Sequence, residues 1–293
     1  MDQSKTAVIP ATLYVVATPI GNLRDITLRA LDVLAAVDVI AAEDTRTTKH
    51  LLTRYAISKT LFALHRHNES ALFTKIAELL SQGKTVAMVT DAGTPAISDP
   101  GGLIVRFVRE QGFKVVPIPG PNAAVCALSV AGISSPHFLF YGFLPTSSGP
   151  RLRALANLKP HPCSLIFYEA PHRILECIAD MAEVFGSDRR ITFARELTKM
   201  FETIHDCALG EALAWLEADS DRRKGEFVLI LPEADRPKET ELSEQARHTL
   251  QLLMHELPLK QAVKLAAEIS GESKNRLYSV ALSLQPHRFL NDR

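Results

Sequence analysis

One stretch limits this chain more than any other: Thr90-Asp91-Ala92-Gly93-Thr94-Pro95-Ala96-Ile97-Ser98-Asp99-Pro100-Gly101-Gly102. An apolar, β-rich run over 84–89 feeds into it, and a helical pattern leaves it at Leu103. A strand that empties into a long loop and then a helix is the repeating unit of an open parallel sheet. Ligands bind in such sheets beyond the carboxyl ends of the strands. Nearly every loop residue is small or restricts the backbone, so a ligand can approach the main chain closely. No lysine or arginine lies within the loop, so it is not a phosphate cradle of the G-x-x-x-x-G-K-[ST] kind. It suits a nucleoside with a charged amino-acid tail. The plainer reading is an ordinary long turn punctuated by Gly and Pro.

The flanking sequence repeats the alternation. Strands are expected at 13–17, 37–42, 61–64, 84–89 and 113–118, with helices after 27, over 47–54 and 70–80, and from 103. This is a parallel sheet with helices on both faces. Gly132-Ile133-Ser134-Ser135-Pro136 reads as a hinge, after which strands at 138–144, 164–168, 190–194, 202–207 and 226–231 build a second α/β unit. A charged, proline-bounded linker over 232–241 precedes helical segments in which a Gly turn at Gly271 leads to Lys274, Asn275 and Arg276, a helix-turn-helix pattern. The expected organisation is an N-terminal α/β domain over 1–132, a second α/β domain over 133–232, and a linker with a helical module over 233–293.

Charge limits the partners. Lys and Arg together number 33, as do Asp and Glu, so any nucleic-acid surface must be local. The tail is the first candidate, with Lys260, Lys264, Lys274, Arg276, Arg288 and Arg293. Cys126, Cys163, Cys177 and Cys207 have no C-x-x-C spacing, which points to reduced thiols in the cytoplasm. His65 and His67 alternate but have no third ligand close in sequence, so no metal site is expected and an RNA-facing or capping role fits better. The first residues lack the design of a signal peptide, and no apolar run is long enough to span a bilayer.

Six motifs then occur together and in order: Val16-Ala17-Thr18-Pro19-Ile20-Gly21-Asn22-Leu23, Glu43-Asp44-Thr45-Arg46, the loop from Asp91 to Gly101, Pro119-Gly120-Pro121, Tyr168-Glu169-Ala170-Pro171-His172-Arg173 and Arg195-Glu196-Leu197-Thr198-Lys199. In this set the chain resembles the tetrapyrrole-methylase-like (class III) methyltransferases, and among them those that act on small-subunit ribosomal RNA. The resemblance implies S-adenosylmethionine held in a cleft between two α/β domains, and a cytoplasmic homodimer. It also implies a product, a ribose 2′-O-methyl on a cytidine in the decoding region of 16S rRNA, made on the rRNA or the small ribosomal subunit.

Carried over residue by residue, the resemblance assigns the donor to Pro19, Gly21, Asp91, Gly93, Ala96, Ile97, Ser98, Tyr168, Ala170, Pro171, Gly225 and Glu226. The hydroxyl acceptor must be positioned and its proton removed. Asp44 and Glu43 at a strand end, and Glu196 and Lys199 at the opposite rim, are the candidates. Against them stand a structural Glu43–Arg46 ion pair and a phosphate contact by Lys199. Lys199 could take the proton only if burial lowers its pKa. RNA contacts are expected from Arg46, His65, His67, Arg173, Arg195, Lys274 and Arg276. Two rivals are a class III methyltransferase acting on a tetrapyrrole or other small molecule, and a non-enzymatic regulator pairing a ligand sensor with a DNA-binding tail.

Overall fold

The computed structural model describes residues 8–64, 69–234, 242 and 244–284. The contacts divide the chain into two compact units, Met1–Glu233 and Ala234–Arg293.

The first unit opens with β1 (Thr12–Val16), α1 (Leu28–Ala36), β2 (Val39–Ala42), α2 (Thr45–Arg54), β3 (Thr60–Ala63), α3 (Glu69–Ser81), β4 (Val86–Val89), α4 (Gly102–Glu110) and β5 (Lys114–Ile118). The five strands pair in the order β3-β2-β4-β1-β5, all parallel. Every residue of β2 and β4 is buried, as expected where helices cover both faces of a parallel sheet. Alternation then sorts side chains by face. Leu13, Val86 and Met88 pack with Leu72, Ile76, Ile104 and Val108 of α3 and α4. Tyr14, Val16, Ala87 and Val89 pack with Val33, Leu34, Leu51 and Leu52 of α1 and α2. Thr27 caps α1, its side chain accepting from Ala30 N, and Asp44 caps α2.

The chain continues through α5 (Ala123–Val130), β6 (Phe138–Phe143), α6 (Ser148–Leu158), β7 (Ser164–Glu169), α7 (Ile174–Phe185), β8 (Arg190–Arg195), β9 (Thr203–Ala208), α8 (Leu209–Glu217) and β10 (Phe227–Leu231). This second sheet has the order β6-β7-β10-β8-β9. Only β6 and β7 run parallel; β10 lies antiparallel to both β7 and β8, and β8 to β9. One face, with Leu165, Phe167, Phe193 and Leu229, packs on α6, α7 and α8. The other, with Ile166, Ala194, Val228 and Ile230, is covered by Ala124 and Ala127 of α5. The chain has therefore joined the second sheet before Gly132, directly after the Pro119-Gly120-Pro121-Asn122 turn. A helix expected from no periodicity, α5 is apolar on nearly every side, yet only Ala124 and Ala127 are buried while Val125 and Val130 stay exposed.

The second unit holds α9 (Glu244–Glu256), α10 (Leu259–Ser270) and α11 (Lys274–Leu284) around Leu250, Val263, Ala266, Leu277 and Ala281. Gly271 ends α10 in the left-handed region at φ 73°, the conformation a tight inter-helix turn needs. No helix among the described residues is long and apolar enough to cross a membrane.

Candidate active site

A cavity of about 360 Å³ opens within the first unit at the carboxyl ends of β1, β4 and β5. One wall comes from the first sheet: Ile20, the loop after β4, Asn122 and Ala123. The other comes from the second: Phe143, Tyr168 to Pro171, Leu197 and Glu226 to Val228. Of the expected donor residues, Gly93, Ile97, Ser98, Tyr168, Ala170, Pro171 and Glu226 line it. Pro19 and Asp91 line a neighbouring recess of about 70 Å³ with Thr47, Thr48 and His50. Gly21, Ala96 and Gly225 line neither. Ile20, Thr94, Asp99, Asn122 and Phe143 were not singled out from sequence. The first four sit inside or beside the motifs, whereas nothing local marks Phe143, which reaches the cavity as the last residue of β6.

The wall from the first sheet is a loop whose backbone is held in place. Thr18 and Gly93 exchange two backbone hydrogen bonds, of 2.9 and 3.0 Å, and pin the loop to the end of β1. Beyond that pin, Ala96 and Ser98 hold left-handed backbone at φ 68° and 67°. Such positions cost about 1–3 kcal/mol each in non-glycine residues and cluster at functional sites. Gly142 faces Ser98 at φ 82°, and a Cβ there would lie 2.7 Å from the Ser98 hydroxyl. The Tyr168 phenol oxygen accepts from Ala124 N at 3.1 Å, fastening the second wall to α5. Burial raises the Tyr168 pKa, and the bond from Ala124 opposes the rise, so the phenol stays protonated and can itself donate into the cavity.

Charges gather at the rim of the second wall. Lys199 Nζ donates to Glu196 at 2.7 Å and to Glu226 at 2.8 Å. Glu196 also accepts from Glu226 N at 2.9 Å. Burial opposes the Lys199 charge, but the two carboxylate bonds outweigh it and hold the ammonium above the ordinary lysine value. The condition for Lys199 to take a proton is thus not met; it is a fixed cation. The Glu196 carboxyl is likewise opposed by burial yet lies below its ordinary value, because Lys199 and the Glu226 amide bind its charged form. Two glycines make room for this rim. A Cβ on Gly21 would meet the Lys199 stem at 2.6 Å, and one on Gly225, at φ 86°, would strike the Glu196 carboxyl.

A second cluster lies where β2 and β4 end. Asp44 N donates to the Asp91 carboxylate at 3.1 Å, and Asp91 N donates to Glu43 at 3.3 Å. Arg46 pairs with Asp44 at 2.6 Å, not with Glu43 as the structural alternative supposed. The Arg46 side-chain and backbone donors hold the Asp44 carboxyl down to about 2. That makes Asp44 a poor proton acceptor near neutrality.

Two arginines expected at the RNA are turned inward. Arg173 is clamped by Glu169 at 2.6 Å and donates to Leu144 O. Arg195 is buried and donates to Lys224 O, Phe201 O and Thr203. Each satisfies backbone carbonyls at a strand end, a task its motif position hid. Arg46 is 90% exposed. Lys274 is exposed at the start of α11, and Arg276 pairs with Glu272, both in the second unit. His65 and His67 lie outside the described residues. Among those described, no group of three His, Cys, Asp or Glu is placed to hold a metal ion.

Residues 12–213 match the model of the tetrapyrrole (corrin/porphyrin) methylases, and 240–285 match that of the RsmI C-terminal HTH domain. The chain is 53% identical over 273 residues to the ribosomal RNA small subunit methyltransferase I of Escherichia coli O157:H7, covering 93% of this chain and 95% of that one. It is 49% identical to the protein of that name from Neisseria meningitidis serogroup B, over 97% of each. Among solved structures, a cobalt precorrin-4 methyltransferase matches with a TM-score of 0.56 at 16% identity, over 75% of this chain and 94% of the other. A uroporphyrin-III-C-methyltransferase from Thermus thermophilus matches with a TM-score of 0.53 at 18% identity, over 76% and 94%. At such identities these two speak for the fold alone.

Proposed function

The chain belongs to the tetrapyrrole (corrin/porphyrin) methylases and, within them, to the ribosomal RNA small subunit methyltransferase I family, and from this premise we propose that it transfers a methyl group from S-adenosylmethionine to the ribose 2′-oxygen of a cytidine in the decoding region of 16S rRNA. The observation that carries the proposal is one cavity between two walls, a loop rich in small residues on one side and Phe143, Tyr168 and Phe227 on the other, with charged side chains gathered beside it.

The donor set fits the group. A volume of about 360 Å³ lies within the range of small-molecule sites. Ile20, Ile97, Phe143 and Tyr168 offer apolar surface to an adenine, and the loop peptides and Asp99 offer polar partners to a sugar and a charged tail. When bound, S-adenosylmethionine supplies a methyl already activated on a sulfonium.

What remains for the protein is positioning, exclusion of water and removal of one proton. Lys199, held cationic between two carboxylates, stabilises negative charge growing on the acceptor oxygen. Asp44 is committed to Arg46 and to capping α2, so the hydroxyl proton passes to Glu43, whose carboxylate accepts, among the described contacts, only the long bond from Asp91 N. Gly93, Ile97, Ser98, Tyr168, Ala170, Pro171 and Glu226 contact the donor, with Pro19 and Asp91 behind them. Gly21 and Gly225 act by admitting Lys199 and Glu196, and Ala96 by its backbone turn. Arg46 and the basic residues of the helical module hold RNA phosphate. The reading includes a cytoplasmic homodimer and the domain limits 1–132, 133–232 and 233–293, with α5 at the end of the first domain reaching over to cover the second sheet.

The test incubates the protein and methyl-labelled S-adenosylmethionine with small ribosomal subunits, naked 16S rRNA, duplex DNA and a tetrapyrrole. Label is expected only in rRNA, at one cytidine whose 3′ linkage becomes resistant to alkali. Label on a base or in the tetrapyrrole overturns the assignment.

A further inference from the structure

In a chain with as many acids as bases, residues 45–68 contain no Asp or Glu at all, yet hold Arg46, Lys49, Arg54, Lys59, Arg66 and three histidines. The structure shows what α2 makes of this bias. Thr48, Leu51 and Leu52 are its buried side. Arg46, Lys49, His50, Thr53 and Arg54 are exposed, and their spacing of three and four residues puts them on one stripe. A solvated helix face ordinarily mixes signs, whereas this one has a single sign from end to end. Arg46 is answered by Asp44 at the cap; among the described residues no carboxylate pairs with Lys49 or Arg54.

The stripe begins at the site. The cap residue of α2 rests its amide on Asp91, and His50 and Thr47 share the recess beside Pro19 and Asp91. Asp91 is followed by Ala92 and Gly93 of the cavity wall. At 1.5 Å per residue, Arg46 to Arg54 runs about 12 Å outward from the mouth.

Resting on the rRNA reading above, we propose that the exposed face of α2 is a rail for the backbone of the substrate RNA: Lys49 and Arg54 contact phosphates flanking the target nucleotide, and His50 guides the strand into the mouth. The occupant follows from charge complementarity, since a stripe of one sign, with Lys49 and Arg54 unanswered by any described carboxylate and its start beside a cavity read as a nucleoside site, fits a polyanion that carries one.

The test is the salt dependence of RNA binding by the full chain, comparing wild type with Lys49→Ala/Arg54→Ala and with a charge-matched control, Arg106→Ala/Arg109→Ala, on the exposed side of α4. Each lost single-strand phosphate contact flattens the log–log slope by about 0.7, so the α2 variant is expected to lose about 1.4 and to weaken roughly tenfold at physiological salt. Its kcat at saturating RNA and its affinity for the methyl donor should stay at wild-type values, and the control should match wild type. An unchanged slope in the α2 variant, or an equal change in the control, overturns the rail while leaving the rRNA reading standing. A wild-type protein that binds donor but neither binds nor methylates rRNA sinks both.

Discussion

Two loops face each other across the cavity and solve similar backbone problems with opposite chemistry. The loop after β4 and the loop after β8 each hold two non-glycine residues in the left-handed region, Ala96 and Ser98 in one, Glu196 and Thr198 in the other. The first is built from small residues and presents peptide groups. The second is cross-braced, with Glu196, Lys199 and Glu226 locked together and Thr198 accepting from Asn22 N at 3.1 Å. On the proposed reading the difference divides the work: the loop of small residues shapes the donor site, and fixed charge serves the acceptor.

The sharpest way to break that division is Lys199→Ala. It leaves Glu196 and Glu226 facing a developing negative charge, and kcat should fall roughly 100- to 1000-fold, the scale of losing one stabilising donor. Donor affinity, measured by calorimetry, should barely move. A loss of equal size in both quantities would mean that the charged rim also builds the donor site.

Gly142→Ala tests the opposite wall. Its methyl would push on Ser98, and its own φ of 82° is strained for alanine. Donor Kd should rise about tenfold, equivalent to about 1.4 kcal/mol and within the usual cost of such strain, with kcat at saturating donor nearly kept. A fall in kcat with unchanged Kd would reverse the assignment of the two walls.

Asp44→Asn should have the smallest effect. Asparagine still caps α2, and an exposed ion pair contributes little. The folded carboxyl sits at about 2 against an ordinary 3.8, so its stabilising effect is complete above that ordinary value and fades as pH falls through about 2. Melting curves of wild type and variant should therefore converge between about pH 4 and pH 2. Methyl transfer near neutrality should persist, and its collapse would restore Asp44 as the proton acceptor.

The first sheet was legible because its signals are local. β2 and β4 are unbroken apolar runs, Thr27 announces α1, and each loop carries its own small or capping residues. The strands of the second sheet were legible in the same way, but their order was not, since β10 inserts between β7 and β8 from far along the chain and no neighbouring residue records that pairing. The helix α6, absent from the expected elements, carries Gly149 and Pro150 in its first turn, where proline is tolerated. At the site, motif membership located the cavity but could not tell presentation from bracing. Arg173 and Arg195 stand in motifs beside true lining residues, yet their guanidinium groups are spent on carbonyls and Glu169. Only three-dimensional placement separates them from Arg46.

The seam between Gly21 and Lys199 has a further consequence. The lysine's methylenes occupy the space where any side chain at position 21 would start. A methyl at 21 would meet the Lys199 stem at 2.6 Å and the Thr198 hydroxyl at 2.8 Å, so shortening the lysine removes the cation without clearing the space. Position 21 is thus closed from two sides by its neighbours across the seam, and a library randomising it alone should return glycine.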